Sequence, residues 1–210
     1  MRLIMERINK FKSSQLENIE KAATILKRGG VVVFPTDTVY GIGVNAKNPK
    51  AVAKIYKIKK RNKNKPLIIL VGRKKDAEKY AYLTAKDKIL IAKFWPGPLT
   101  LVLKAKKIIP KYLTKKGTIG IRMPDNKIFI TLARECKFPI ATTSANLSGK
   151  ASATSAIETA DNLGDKIDFI IDGGKTKSKI ASTVLDISSN TPLILRNGKI
   201  NLSQINKALL

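Results

Sequence analysis

Two short polar motifs, far apart in this chain, carry groups suited to an anionic ligand with a polar tail. Lys59-Lys60-Arg61 closes a predicted helix that follows VVVFPTDTVYGIG. Ser144-Ala145-Asn146 sits in IATTSANLSG, directly after an apolar run. An arginine grips phosphate or carboxylate through paired N–H bonds, and a lysine adds a point charge. Hydroxyl and amide groups supply the polar complement. A nucleoside triphosphate is the ligand that this combination suggests. The Gly-rich loop of a P-loop protein is missing, so cations must carry more of the phosphate binding.

Other strand ends repeat the theme. Thr36-Asp37-Thr38 follows a β-branched run, where α/β proteins place ligand loops; as a turn, it would use the same side chains to satisfy its own backbone. Thr118, Gly120 and Arg122 fall on one face of a strand with period two. A charged Arg122 at a buried strand end needs a partner, either a structural carboxylate or that of a ligand. Ser182-Thr183 and Arg196 stand at two more strand ends. Asp37 and Asp125 are the nearest approach to catalytic acids, and no carboxylate pair is evident. Trp95-Pro96-Gly97-Pro98 reads as a rigid loop shaping a cavity wall. Tyr40 and Tyr56 have the rings to stack on a base, though packing is their commoner use.

Composition narrows the chemistry. The chain has no histidine and one cysteine, Cys136, in 210 residues. That removes Ser-His-Asp and Cys-His catalysis, His-liganded metals and Cys-rich zinc sites. Cations outnumber acids 41 to 15, a formal net charge of +26. Such a field attracts polyanions, nucleic acid first among them, although Lys-rich drift in composition gives the same number. The segment Lys54–Lys65 alone, KIYKIKKRNKNK, contains cations and no acid. The N-terminal stretch MRLIMERINKFKSS lacks a signal-peptide apolar region. With no long apolar run and a single cysteine, the expected location is the cytoplasm, with no membrane contact.

The elements that must position these groups are legible. Ser14 and Glu17 form a capping box for a helix over Gln15–Arg28, with Leu16, Ile19, Ala23 and Leu26 as its buried stripe. Gly29-Gly30 stops it, and Val31–Phe34 reads as an interior strand. Asn48-Pro49 opens the next helix. Leu67–Val71, Leu99–Leu103, Thr118–Arg122, Pro139–Thr143, Phe169–Ile171, Thr183–Asp186 and Leu193–Arg196 read as strands. Two helical stretches precede Trp95. Helices are also predicted over Asp125–Cys136, with Ile128, Ile130, Leu132 and Ala133 apolar, over Ala153–Leu163, with Ser152 as a candidate cap, and over Leu202–Leu210. A basic loop spans Lys175–Lys179. The fold class is α/β: one domain over 1–210, with an open, twisted, mixed sheet flanked by helices.

Seven ordered blocks, FPTDTVYGIG, KKRNKNKPLIIL, FWPGPLTLVL, TIGIRMPD, TTSANLSGKASAT, STVLD and LRNG, resemble the threonylcarbamoyladenylate synthase family in its bacterial single-domain, YrdC-like form. The resemblance runs from about Gln15 to Ile200. It implies a deep basic cavity and a reaction that joins L-threonine, bicarbonate or CO2, and ATP into L-threonylcarbamoyladenylate and pyrophosphate. The product would feed the t6A modification of ANN-decoding tRNAs through the tRNA threonylcarbamoyl-transferase complex. Mg2+ would come with the nucleotide, with no dedicated protein metal site. The resemblance places a catalytic tetrad at Lys59, Arg61, Ser144 and Asn146, with Lys59 and Arg61 handling phosphate. It places ATP contacts at Arg61, Lys65, Thr118, Ser144, Ser152 and Arg196, and threonine contacts at Thr38, Arg122, Thr142 and Ser182. Asn62 stands where the family often has proline, and Leu70 where some longer members have a polar residue. The extra C-terminal domain of those members is not expected here. Two rival readings are a non-catalytic tRNA or double-stranded RNA binder and the carbamoyl-transfer module of hydrogenase maturation proteins. The scarcity of Cys and His argues against the second.

Overall fold

The computed structural model describes residues 14–189 and 191–210. The stretch read as lacking a signal sequence lies, apart from Ser14, outside them. The elements are α1 (Gln15–Lys27), β1 (Val32–Phe34), β2 (Gly41–Asn45), α2 (Pro49–Lys59), β3 (Ile68–Leu70), α3 (Ala77–Tyr80), α4 (Ala85–Phe94), β4 (Leu99–Lys104), β5 (Thr118–Arg122), α5 (Lys127–Cys136), β6 (Ile140–Ser144), α6 (Ala156–Leu163), β7 (Phe169–Ile170), β8 (Thr183–Asp186), β9 (Leu193–Arg196) and α7 (Leu202–Leu209).

One mixed sheet runs in the order β7-β1-β2-β6-β3-β5-β4-β8-β9. The pairs β1/β7, β3/β5 and β4/β8 are parallel and the rest antiparallel. The period-two pleat gives each strand two faces. Ile42, Val44, Ala141, Ile69, Ile121, Leu101 and Leu185 point to one face, packing with Val52 and Ile55 of α2, Leu90 and Ile91 of α4 and Ile205 of α7. The opposite face carries Phe34, Leu70 and Ile140, covered by Ile19, Ala22 and Leu26 of α1 and by Phe129 and Leu132 of α5. Each Val, Leu, Ile or Phe among them contributes roughly 1.5–3 kcal/mol when fully buried.

This second face is covered only in part. Farther along it, Gly41, Thr142, Ser144, Ile68, Gly120, Val102 and Val184 line an open cavity instead. Two residues keep its floor low by lacking a Cβ. A Cβ on Gly120 would come within 2.7 Å of the Ile68 side chain, and one on Gly41 within 2.8 Å of the Phe34 ring.

Helix termini follow their sequence signals closely. Ser14 and Glu17 make the capping box of α1. Asn48 caps α2 through the Ala51 N–H, with Pro49 in the first turn, a cap worth about 1 kcal/mol. Gly29 supplies the positive φ after α1. Three expectations need correction. Leu16 is exposed, and Ala22 takes its place in the α1 stripe. In α5, Phe129 is buried while Ile130 and Ala133 are only half-buried. Helix α6 starts at Ala156 with Ser155 as its cap, so Ser152 caps nothing.

Among the described residues, no helix is long and apolar enough to cross a membrane.

Candidate active site

The main cavity has a volume of about 630 Å³ and crosses the sheet from β2 to β9. A smaller lobe of about 220 Å³ adjoins it, and Arg61, Lys65 and Ser144 line both. Thr38, Arg122, Thr142, Ser182 and Arg196 line the main cavity, while Lys59, Lys60, Asn146, Ser148 and Gly149 line the lobe. The fold thus brings together most of the residues singled out from sequence. Thr118 and Ser152 line neither space. Thr118 Oγ1 instead donates to the Lys115 carbonyl (2.7 Å) at the strand's outer end.

Lys59 departs most from expectation. It lies at the end of α2 on the helix's inner face and is 1% exposed. Its Nζ donates to the Ser144 carbonyl (2.5 Å), the Asn146 carbonyl and Asn146 Oδ1 (3.2 Å). Rather than a free phosphate-handling cation, it ties α2 to the turn after β6. Asn146 is the hub of that turn. Its Oδ1 accepts from Ser144 Oγ (2.5 Å), and its Nδ2 donates to the Leu147 and Lys150 carbonyls (2.9 and 2.7 Å). Burial and the neighbouring positive charge of Arg61 lower the Lys59 ammonium to about 8.

The cations lining the main cavity are Arg61, Lys65, Lys115, Arg122 and Arg196. Lys60 adopts the left-handed conformation (φ 49°) just past α2, turning the chain toward the cavity. Arg61 follows, with Nε donating to the Lys65 carbonyl (2.9 Å) and Nη2 to the Pro66 carbonyl (3.2 Å). Arg196 is held by Ser182: its Nε and Nη2 donate to the Ser182 carbonyl (3.0 and 2.8 Å), and Nη2 also reaches Ser182 Oγ (2.9 Å). Ser182 Oγ in turn lies 2.9 Å from Thr100 Oγ1. Burial lowers the proton affinity of Arg61 and of Arg196, and Arg196 also feels the Arg61 charge. Both guanidinium groups stay protonated at neutral pH.

Arg122 anchors the other pole. Its Nε donates to the Gly97 carbonyl (2.9 Å), Nη1 to Thr38 Oγ1 (3.0 Å) and Nη2 to Asp37 Oδ1 (2.5 Å). Burial lowers its proton affinity, Asp37 opposes that effect, and the nearby Arg196 charge adds to it. A guanidinium has five N–H groups, so one remains on each terminal nitrogen for a ligand. The Trp95-Pro96-Gly97-Pro98 loop supports this pole from behind, through the Gly97 carbonyl, rather than lining the wall. Its Trp95–Pro96 peptide bond is cis. Sequence reasoning named Asp37 only as a candidate acid. Its alternative for Arg122, a structural carboxylate partner, was the missing link between the two.

The tyrosines do not present their rings as a base platform. Tyr40 is fully buried, and its hydroxyl donates to the Gly174 carbonyl (2.7 Å) and accepts from Gly173 N–H (3.0 Å). Tyr56 OH is 3.4 Å from the Lys65 carbonyl. Cys136 is buried, and burial pushes its thiol up to about 12, which leaves it inert. Among the described residues, no three His, Cys, Asp or Glu side chains cluster to hold a metal ion.

A profile of the Sua5/YciO/YrdC family, described as "telomere recombination", matches residues 24–198. The chain belongs to this family. Its relatives include the threonylcarbamoyl-AMP synthase of Bacillus subtilis, 44% identical over 193 residues, covering 89% of this chain and 55% of the relative. The protein of the same name from Pyrococcus abyssi is 40% identical over 208 residues, covering 98% of this chain and 59% of the relative. This chain therefore spans somewhat more than half the length of these two family members. A crystal structure of P. abyssi Sua5 complexed with L-threonine superposes with a TM-score of 0.89 at 39% identity, over 94% of this chain and 58% of that one. The open mixed sheet flanked by helices is thus the Sua5/YciO/YrdC fold.

Proposed function

We propose that this protein is an L-threonylcarbamoyladenylate synthase, a nucleotidyltransferase that condenses L-threonine, bicarbonate or CO2, and ATP. The observation that carries the reading is the bipolar cavity. An acid-paired Arg122 stands at one pole, Arg61 and Lys65 stand beside a basic side lobe at the other, and Arg196 is near enough to both for the charges to be felt. Relatives named threonylcarbamoyl-AMP synthase, and a relative solved with L-threonine, support the same assignment.

In this reading the threonine carboxylate takes the remaining N–H groups of Arg122, near Thr38 and Thr142. Thr142 Oγ1 donates to the Ile42 carbonyl (2.8 Å), which fixes its lone pairs for an incoming donor. The ATP phosphates lie between Arg61, Lys65, Ser144 and Arg196, with pyrophosphate in the 220 Å³ lobe. Thr118 and Ser152 would contact nucleotide only outside the two spaces. Mg2+ enters with the nucleotide as part of the substrate.

The chemistry asks for positioning and charge, which a site without histidine can supply. The threonine amine adds to the carbon of CO2 and loses a proton, giving a carbamate. A carbamate oxygen then attacks the α-phosphorus, the bond to the bridging oxygen breaks, and pyrophosphate leaves with the electron pair. Arg61, Lys65 and Arg196 stabilise the charge that moves onto pyrophosphate, a preorganised electrostatic role. Lys59, Ser144 and Asn146 hold the wall against which this happens.

The adenylate would pass to the tRNA threonylcarbamoyl-transferase complex, and the net positive charge favours direct contact with tRNA. The cytoplasm is where those partners would be met.

The test is pyrophosphate release by purified protein with ATP, bicarbonate and each amino acid in turn. Release that depends on threonine, and is lost in a folded Arg61→Ala variant, supports the reading. Release indifferent to the amino acid, or full activity in Arg61→Ala, overturns it. Salt-sensitive RNA binding without turnover would favour the non-catalytic reading instead.

A further inference from the structure

Asp37 and Arg122 form a nearly closed ion pair behind the amino-acid pole, their side chains 10% and 6% exposed. Asp37 does not line the cavity. Its Oδ1 takes the Arg122 Nη2 hydrogen bond and also accepts from the Asp125 backbone N–H (3.2 Å). Thr38 is fixed just as firmly. Its hydroxyl sits 3.1 Å from Thr36 Oγ1, which donates to the Val39 carbonyl (2.6 Å). The guanidinium is therefore held on three sides, by Gly97, Thr38 and Asp37, before any ligand arrives.

This arrangement has an electrostatic consequence. An arginine alone would give the pole a full positive charge and favour any carboxylate. Pairing with Asp37 at low exposure offsets much of that charge, while Arg196 adds a positive field from the side. A ligand carrying only a carboxylate then brings an uncompensated negative charge next to Asp37. A zwitterion brings its own ammonium, which the Asp37 field favours while Arg122 takes the carboxylate.

We propose that Asp37 is a positioning residue that makes this pole selective for the zwitterionic amino acid over the same molecule without its ammonium group. The proposal rests on the reading that Arg122 receives an amino-acid carboxylate. It adds that the discrimination between amine-bearing and amine-free ligands comes from a residue behind the cavity, acting through Arg122 and its field.

The experiment is calorimetric binding of L-threonine and of 3-hydroxybutyrate, which is threonine without its amine, to the wild-type protein, to Asp37→Asn and to Asp37→Glu. The wild type should prefer threonine by about tenfold or more, one charge interaction of ordinary size. Asp37→Asn should lose threonine affinity and gain affinity for 3-hydroxybutyrate, narrowing or reversing the preference. Asp37→Glu keeps the charge but displaces the guanidinium, so both ligands should weaken while the preference survives. A purely structural role would weaken both ligands alike in Asp37→Asn, and that result overturns the proposal. Equal binding of the two ligands by the wild type overturns it as well, without any variant having to fold. A wild type that binds 3-hydroxybutyrate but neither binds nor consumes threonine refutes the functional reading and this proposal together. Intact threonine-dependent turnover with unchanged preference in Asp37→Asn refutes the proposal alone.

Discussion

Lys59 and Asn146 stand 87 positions apart in the chain and meet through one ammonium group, which donates both to the Asn146 backbone carbonyl and to its Oδ1. The same ammonium reaches the Ser144 carbonyl. Helix α2 and the turn after β6 are therefore locked to one another, and Arg61, two residues beyond Lys59, is placed by that lock. Replacing Lys59 with Met should leave buried carbonyl oxygens without a donor, at a cost of about 1–3 kcal/mol. Turnover should fall roughly 100-fold through misplacement of the wall. Urea denaturation and steady-state kinetics measure the two effects. Lys59→Arg should not restore turnover, because a planar fork does not fit three converging oxygens.

The same group sets a pH dependence. Burial, with help from Arg61, brings Lys59 from 10.5 to about 8 in the folded protein. Below about 8 both folded and unfolded chains hold the proton, and the penalty for the buried charge is present in full. Between about 8 and 10.5 the unfolded chain binds more protons than the folded one, so the stability contribution of this residue rises with pH. The unfolding free energy of the wild type, compared with Lys59→Met, should therefore gain on the variant as pH increases through that window. Turnover should move the other way and decline through about pH 8, since a neutral amine offers two N–H groups to three oxygens. A difference in stability that stays flat with pH would contradict the assignment.

Ser182 should affect ATP more than threonine. Its hydroxyl is engaged by Arg196 Nη2 and Thr100 Oγ1, although the sequence resemblance alone would make it a threonine contact. Ser182→Ala removes one of the three contacts to Arg196 and keeps the two to the backbone carbonyl. The expected result is a rise of roughly threefold in the KM for ATP, the scale of one neutral hydrogen bond, with the KM for threonine little changed. The reverse pattern would return Ser182 to the amino-acid pole.

Gly120 should tolerate no bulk. A Cβ there would meet the Ile68 side chain at 2.7 Å, on the floor shared by both poles. Gly120→Val should destabilise the protein by about 1–3 kcal/mol through overpacking. It should also weaken binding of both substrates, which ligand titration of the folded fraction would show. A variant that loses stability and binds normally would mean that the floor lies elsewhere.

Much of this molecule was legible from sequence because local signals and tertiary structure agree. Ser14, Asn48 and Gly29 mark helix ends by chemistry that needs no distant partner. The β-branched runs mark strands wherever both faces are buried. Ser144 and Arg196 end strands, and Arg61 and Lys65 lie in the loop that leads from α2 to β3, so their convergence followed once those strands joined one sheet. Lys59 resisted the same treatment. A lysine in a run of cations reads as a solvated charge, and only the turn 87 residues away turns it inward. Ser155 displaced Ser152 as a helix cap because both are serines near one start, and the backbone, not the residue type, chose between them. The pairing of Asp37 with Arg122 was hidden for a similar reason, since nothing local tells an acid in a Thr-rich turn which strand it faces.

The most direct measurement is mass spectrometry of the product formed from ATP, L-threonine and 13C-bicarbonate. The predicted species is an adenylate that contains threonine and one labelled carbon, formed together with pyrophosphate and absent without threonine. ATP consumption that yields no threonine-bearing adenylate, or an adenylate without the label, would contradict the proposed function.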